Sequence, residues 1–160
     1  MSYEAERLAA RLSELCHDYA AGDRVKSAGS GFARLFRHWI SYNEQRIEAE
    51  DRRFLDEAAR LTDELDGALA SLSREDLPAA RRIAAGAVEG LLFFGPASPV
   101  TDQEWYLTAA GYESEKLFPY LSLEDLGRVR DEMCRRTPRR LMFPKQLELL
   151  KAVETLLEAQ

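Results

Sequence analysis

Two histidines, two cysteines and several helical carboxylates are the residues of this 160-residue chain with the strongest claim to chemistry. Glu14 and His17 make a Glu-x-x-His pair, the spacing with which helical di-iron carboxylate proteins hold one metal. Such a site takes a second Glu-x-x-His and two more glutamates from facing helices, and the sequence has no second pair. Cys16 and His17 are neighbours, and neighbours on a helix point about 100° apart, so adjacency does not make them a nucleophile and its base. Glu48-Ala49-Glu50-Asp51 holds a Glu-x-x-Asp step, of the kind that binds magnesium in helical nucleotide hydrolases when two helices each supply one. With Glu44 it outlines a carboxylate metal site, but the upstream Glu-x-x-Glu partner is missing. Gly29-Ser30-Gly31 lacks the lysine and the preceding strand of a phosphate loop. No cofactor and no catalytic residue is expected.

What the chain has instead is surface chemistry. Between Arg128 and Lys145 lie seven cations: Arg128, Arg130, Arg135, Arg136, Arg139, Arg140 and Lys145. Only Asp131 and Glu132 oppose them, so the stretch carries +5 against −6 for the whole chain, and the remainder carries −11. Arg135 and Arg136 fall in the last turn of a helix, where cations favour the macrodipole. Arg139 and Arg140 stand between Pro138 and Pro144 with no acidic neighbour. Guanidinium forks bind carboxylate or phosphate in bidentate fashion. A nucleic-acid reader is usually basic over the whole domain, whereas this chain has a pI near 5.1.

A second surface feature is the aromatic segment from Leu91 to Tyr112, with Phe93, Phe94, Trp105, Tyr106 and Tyr112. Phe93 and Phe94 lead into a Gly-Pro turn, and Trp105 and Tyr106 sit one turn into a short helix. Tryptophan and tyrosine are common interface anchors, and short helices on long connections are favoured recognition sites. The string Leu92-Phe93-Phe94-Gly95-Pro96 resembles one in helical redox-enzyme maturation chaperones, over five residues that assign no family.

The elements that must position these residues read as helices. Residues 3–21 put Leu8, Leu12, Leu15 and Tyr19 on one stripe. Gly22 then closes the helix and Gly22–Gly31 reads as a flexible loop. A second helical pattern runs from Phe32 to about residue 71. Its polar middle, Ser41–Arg53, carries opposite charges four apart at Arg46/Glu50, Glu48/Arg52 and Arg53/Glu57. Unbroken, it would be about 60 Å long at roughly 1.5 Å per residue, longer than a compact domain of this size, so either it breaks near 41–46, which is the preferred reading, or it protrudes and finds a partner. Ser73 to Asp76 resembles a capping box before Pro78. The helix at about 77–94 is rich in alanine and glycine, which marks it as the central core helix, with Gly86 and Gly90 packed tightly against neighbours. Thr101 and Glu104 cap a helix over 102–110 that Gly111 ends. One further turn of helix is expected over 112–118. Ser122 and Asp125 cap another over 123–136, with Leu126, Val129 and Met133 inward. A last helix, 144–159, carries Leu147, Leu150, Val153 and Leu157.

These readings predict a single all-α domain over 1–160, an irregular bundle of five to seven helices around the small-residue-rich helix at 77–94. Cys16 and Cys134 are expected as free, buried thiols in a cytoplasmic protein, and no apolar run approaches the roughly 20 residues that span a bilayer. The expected function is a non-catalytic protein–protein interaction module: an adaptor, an inhibitor or immunity-type protein, or a dedicated chaperone. Its partner would be another protein or a second copy of the chain. The anchors would be Phe94, Trp105 and Tyr106, with Arg135, Arg136, Arg139 and Arg140. The alternative is a helical nucleic-acid-associated subunit using the arginines of 128–145. The third is a carboxylate metal-dependent enzyme.

Overall fold

In a computed structural model the described residues are 2–21 and 37–159, with backbone alone over 37–47. Every regular element among them is helical. Six α-helices follow in chain order: α1 (Tyr3–Ala21), α2 (Arg37–Ala70), α3 (Leu77–Leu92), α4 (Asp102–Gly111), α5 (Leu123–Arg136) and α6 (Pro144–Glu158). Short 3₁₀ segments stand at Arg74–Asp76, Tyr112–Tyr120 and Arg139–Leu141. The expected all-α bundle is the observed fold. The loop expected over Gly22–Gly31 and the apolar positions from Phe32 to Ile47 lie outside the described residues and side chains.

α2 corrects the expected break at 41–46. It runs through that stretch as one helix of 34 residues, about 51 Å at 1.5 Å per residue. No proline occurs in it, its one glycine (Gly67) lies near its C-terminal end, and ion pairs a turn apart support its exposed face. Arg52 reaches Glu48 at 2.9 Å, and Arg60 bridges Glu57 and Glu64. The pairing of Arg53 with Glu57 is not what forms, because Glu57 turns to Arg60 and lies 3.9 Å from Arg11 of α1. Among the described side chains of α2, Asp51, Phe54, Ala58, Leu61, Leu65 and Leu69 are buried at helical spacing.

α1 lies along α2 and α3 and buries Ala5, Leu8, Leu12 and Cys16. That stripe is rotated slightly from the expected one, leaving Leu15 and Tyr19 half-buried at its edge. Tyr19 stacks on Phe54 with ring centroids 3.9 Å apart, donates its hydroxyl to the buried Asp51 carboxylate, and accepts from the Gln103 amide at 2.7 Å through its carbonyl. Three helices are thereby tied at one residue. α3 is central as expected, touching α1, α4 and the 112–120 segment. Val88 on α3, Leu117 and Phe118 in the 112–120 segment, and Leu149 on α6 are among the largest fully buried side chains, each worth about 1.5–3 kcal/mol relative to exposure. The Tyr120 hydroxyl donates to Asp66 of α2, at 2.5 Å to the carboxylate and 3.0 Å to the carbonyl.

Four local expectations are corrected. Gly86 and Gly90 are exposed, and a Cβ built on either meets nothing within 4 Å, so tight packing is not their role. The glycine that packing does require is Gly111, whose Cβ would lie 2.7 Å from the Leu91 carbonyl oxygen and 3.2 Å from the Leu92 Cα. Ser73 does not cap α3. Its hydroxyl goes to the Asp76 carboxylate at 3.2 Å and its carbonyl closes the 3₁₀ turn with the Asp76 N–H. In α6 the buried residues are Leu149, Leu150 and Val153, and Leu147 is turned out. Of the two free cysteines, Cys16 is buried and Cys134 only partly so.

Candidate protein-docking surface

Thr101 and Glu104 form the expected capping box. The Thr101 hydroxyl accepts from the Glu104 N–H at 3.1 Å, and the Glu104 carboxylate accepts from the N–H groups of Val100 and Thr101 at 2.6 and 3.0 Å. Those two backbone hydrogen bonds hold the Glu104 carboxyl below its usual range. With the helix start fixed there, Trp105 takes the next position and faces outward. The start of α6 is built differently. Phe143 stands at the N-cap, its N–H donating to the Gln146 side chain at 2.8 Å, and Pro144 opens the helix. Met142 and Phe143 are extended, so alternate side chains point to opposite sides. Met142 goes into the core while Leu141 and Phe143 go out.

The two helix starts meet at their rings. Trp105 and Phe143 pack edge to face, with centroids 5.9 Å apart and planes at 88°. Both stay open to solvent, Trp105 at 45% and Phe143 at 40%. Around them in sequence stand Val100 at 90%, Leu141 at 63% and Leu147 at 41%. These five are most of the large apolar side chains that the described residues expose; the others, Tyr3, Leu77 and Leu123, stand on different elements.

The basic stretch is largely answered from within the molecule. Arg128 pairs with Asp125 and Arg130 with Asp131 at 3.2 Å. Arg135 binds Glu132 through two nitrogens at 2.5 and 2.8 Å, and these bonds hold the Glu132 carboxyl below its usual range. Arg136 donates to the Gly95 carbonyl at 2.7 Å, and its guanidinium lies 5.5 Å from the centre of the Phe93 ring. Arg139, which has no acidic neighbour in sequence, finds Glu154 on α6 at 2.5 Å. Lys145 lies 3.4 Å from Glu148 and 3.7 Å from Glu115. Within this stretch Arg140 is the exception, an exposed cation with no ion pair among the described residues.

The three aromatic candidates do not share one surface. Trp105 is in the patch just described. Tyr106 is half-buried against the core. Phe94 meets His17 edge to face at 4.9 Å, at one end of a groove of about 360 Å³ between α1 and α3. Leu12, Cys16, Ile83, Ala87 and Leu91 line that groove, together with Gly86 and Gly90. Burial pushes the Cys16 thiol up to about 11, so at neutral pH it is protonated and a poor nucleophile. Asp51, one of the carboxylates considered for a metal, accepts from Tyr19, and Glu48 pairs with Arg52. Glu44 lies outside the described side chains, and the described residues hold no group of three metal-ligating side chains.

Comparison with protein-family models, with curated proteins and with solved structures returned no match. No helix among the described residues is long and apolar enough to cross a membrane.

Sequence reasoning did not single out Phe143, Leu141 or Val100. One signal was available: N-caps favour Ser, Thr, Asp and Asn, so a phenylalanine placed directly before a helix-opening proline is out of place unless its ring has other work. The nearness of Trp105 to Phe143 is a tertiary fact with no local signature.

Proposed function

We propose that this chain is a non-catalytic protein-binding module whose docking point is the Trp105–Phe143 ring pair with its apolar surround. The observation that carries the reading is the exposure of that pair. Two aromatic rings hold each other in a defined geometry, on the rigid starts of two helices, and stay nearly half open to water. Preset aromatic anchors of this kind lose little conformational freedom on binding. Arg140 at the edge is the charged group in the basic stretch left for a partner's carboxylate, and the free thiols of Cys16 and Cys134 suit a reducing cytoplasm. The nucleic-acid alternative is the weaker one, since most cations of 128–145 already have carboxylates or a carbonyl as partners.

A photoreactive phenylalanine analogue at position 105 or 141 tests the reading in a native lysate. Discrete protein adducts are expected there and not from the same probe at Leu77, an exposed apolar residue on α3. No adduct from the patch, or equal labelling from position 77, would overturn it.

A further inference from the structure

We infer that the partner seated on the Trp105–Phe143 patch is a second copy of this chain, related by a two-fold axis passing close to the ring pair. The inference rests on the protein-binding reading above and adds the identity of the partner. Three observations converge on it.

The first is the arrangement of charge. Asp102 precedes Trp105 by three residues and Arg140 precedes Phe143 by three. Both are exposed, and neither makes an ion pair among the described residues. Along the chain, acid therefore stands three residues before one ring and base three residues before the other within a single copy. A two-fold axis between rings 5.9 Å apart sets Trp105 of each copy against Phe143 of the other. The same operation brings each Asp102 towards the other copy's Arg140. An isologous interface needs this kind of self-complementarity, in which residue i meets j and j meets i.

The second is area. Exposures of 40–90% on five apolar side chains, each one of the two rings or within five residues of one in sequence, leave roughly 500 Å² of apolar surface open, taking about 150–250 Å² for a whole aromatic side chain and somewhat less for valine and leucine. A standard interface removes about 800 Å² from each partner, and in homodimers about 65% of that is apolar. The two figures agree. Such a patch also lies near the upper end of what monomers leave uncovered, about 300–600 Å².

The third is internal consistency of the remaining cations. Arg139, next to Arg140, is already held by Glu154 on α6. It braces the base of the 139–141 turn without competing for Asp102 of the other copy.

Sedimentation velocity of the full chain from about 1 to 100 μM tests this directly. A species of twice 18.2 kDa is expected to grow with concentration. Trp105→Ala and Phe143→Ala are each expected to return the chain to the monomer with its circular dichroism intact. D102R and R140D are each expected to weaken self-association at least tenfold, because each sets like charges together. Mixed one to one, these two charge variants are expected to form a mixed dimer, because both cross-pairs are then opposite in charge. The charge variants stand in for the alanine ones should either of the latter fail to fold. A monomer at 100 μM, or a dimer indifferent to both ring and charge variants, would overturn the inference. The photoreactive probe at 105 separates the two proposals. Monomeric protein that crosslinks only to a different protein removes the second copy and leaves the docking point. Monomeric protein with no adduct removes both.

Discussion

Two glycines on the open side of α3 and one at the end of α4 should respond to the same substitution with opposite signs. Gly86 and Gly90 are helical, and a Cβ at either meets no atom within 4 Å. Alanine there adds no contact and removes only the conformational cost of glycine in a helix interior, about 0.8–1.0 kcal/mol per site. The double variant G86A/G90A should therefore be more stable by roughly 1.5–2 kcal/mol. For a chain of this size that corresponds to a melting temperature higher by about 4–7 °C. At Gly111 the added methyl would sit 2.7 Å from the Leu91 carbonyl oxygen and 3.3 Å from its carbon. Those atoms are α3 backbone and cannot swing aside, so overpacking should destabilise G111A by about 1–3 kcal/mol. Urea unfolding followed by circular dichroism reads both, with an unchanged m-value as evidence that the unfolded state is the same. Loss of stability in G86A/G90A would refute the reasoning, for it would mean that something occupies the face of α3 that the structure leaves open. A neutral or stabilising G111A would refute the close approach of α4 to α3.

Arg136→Ala should cost about 1–2 kcal/mol through the lost hydrogen bond to Gly95 and the lost contact with Phe93, while Arg140→Ala should change stability by less than about 0.5 kcal/mol; paired urea curves decide. Tyr120→Phe should cost about 1.5–3 kcal/mol, the range for a hydrogen bond to a charged group. Burial first, and then the Asp66 carboxylate, push the Tyr120 hydroxyl up to about 12. Because its folded value lies above the ordinary phenol value of about 10, its contribution is complete below pH 10 and lost as pH rises towards 12, and wild type and Y120F should converge over that interval. Cys16, pushed up to about 11 by burial, should react with a maleimide far more slowly than Cys134 at pH 7.5, which mass spectrometry of partly labelled protein would read.

The elements legible in the sequence were those with chemical punctuation at both ends. α4 has Thr101 and Glu104 before it and Gly111 at its close; α5 has Ser122 before it and Pro138 after it. These signals put both within a residue of where they lie. Rotation about a helix axis was harder to read. In α6 the leucines at 147, 149, 150, 156 and 157 offer two overlapping stripes, and contacts with α5 and the 112–120 segment choose between them. Small residues misled for a related reason. In α3, alanine and glycine alternate between a face that packs and a face that does not, and composition alone cannot say which glycine is crowded. The polar middle of α2 argued for a break because a compact core cannot cover so long a helix. The helix nevertheless runs unbroken from Arg37 to Ala70. Of the docking surface, Trp105 was readable as an exposed aromatic on a short helix. Its partner ring was not, because only the fold brings the start of α6 to the start of α4.

The hold of Arg136 on the Gly95 carbonyl bears on how this molecule should be mapped. That carbonyl belongs to the turn through which the chain passes from α3 to α4, the helix that carries Trp105. An arginine scan across 128–145 would then score Arg136 as a hit through its internal contacts with Gly95 and Phe93, since losing it frees the approach to α4 and shifts where the indole stands. On the proposed docking, Arg140 would score through direct contact. The two hits would look alike in a binding curve and differ in a melting curve, so a scan read by affinity alone would draw the contact region too wide and displace its centre from the ring pair towards the end of α5.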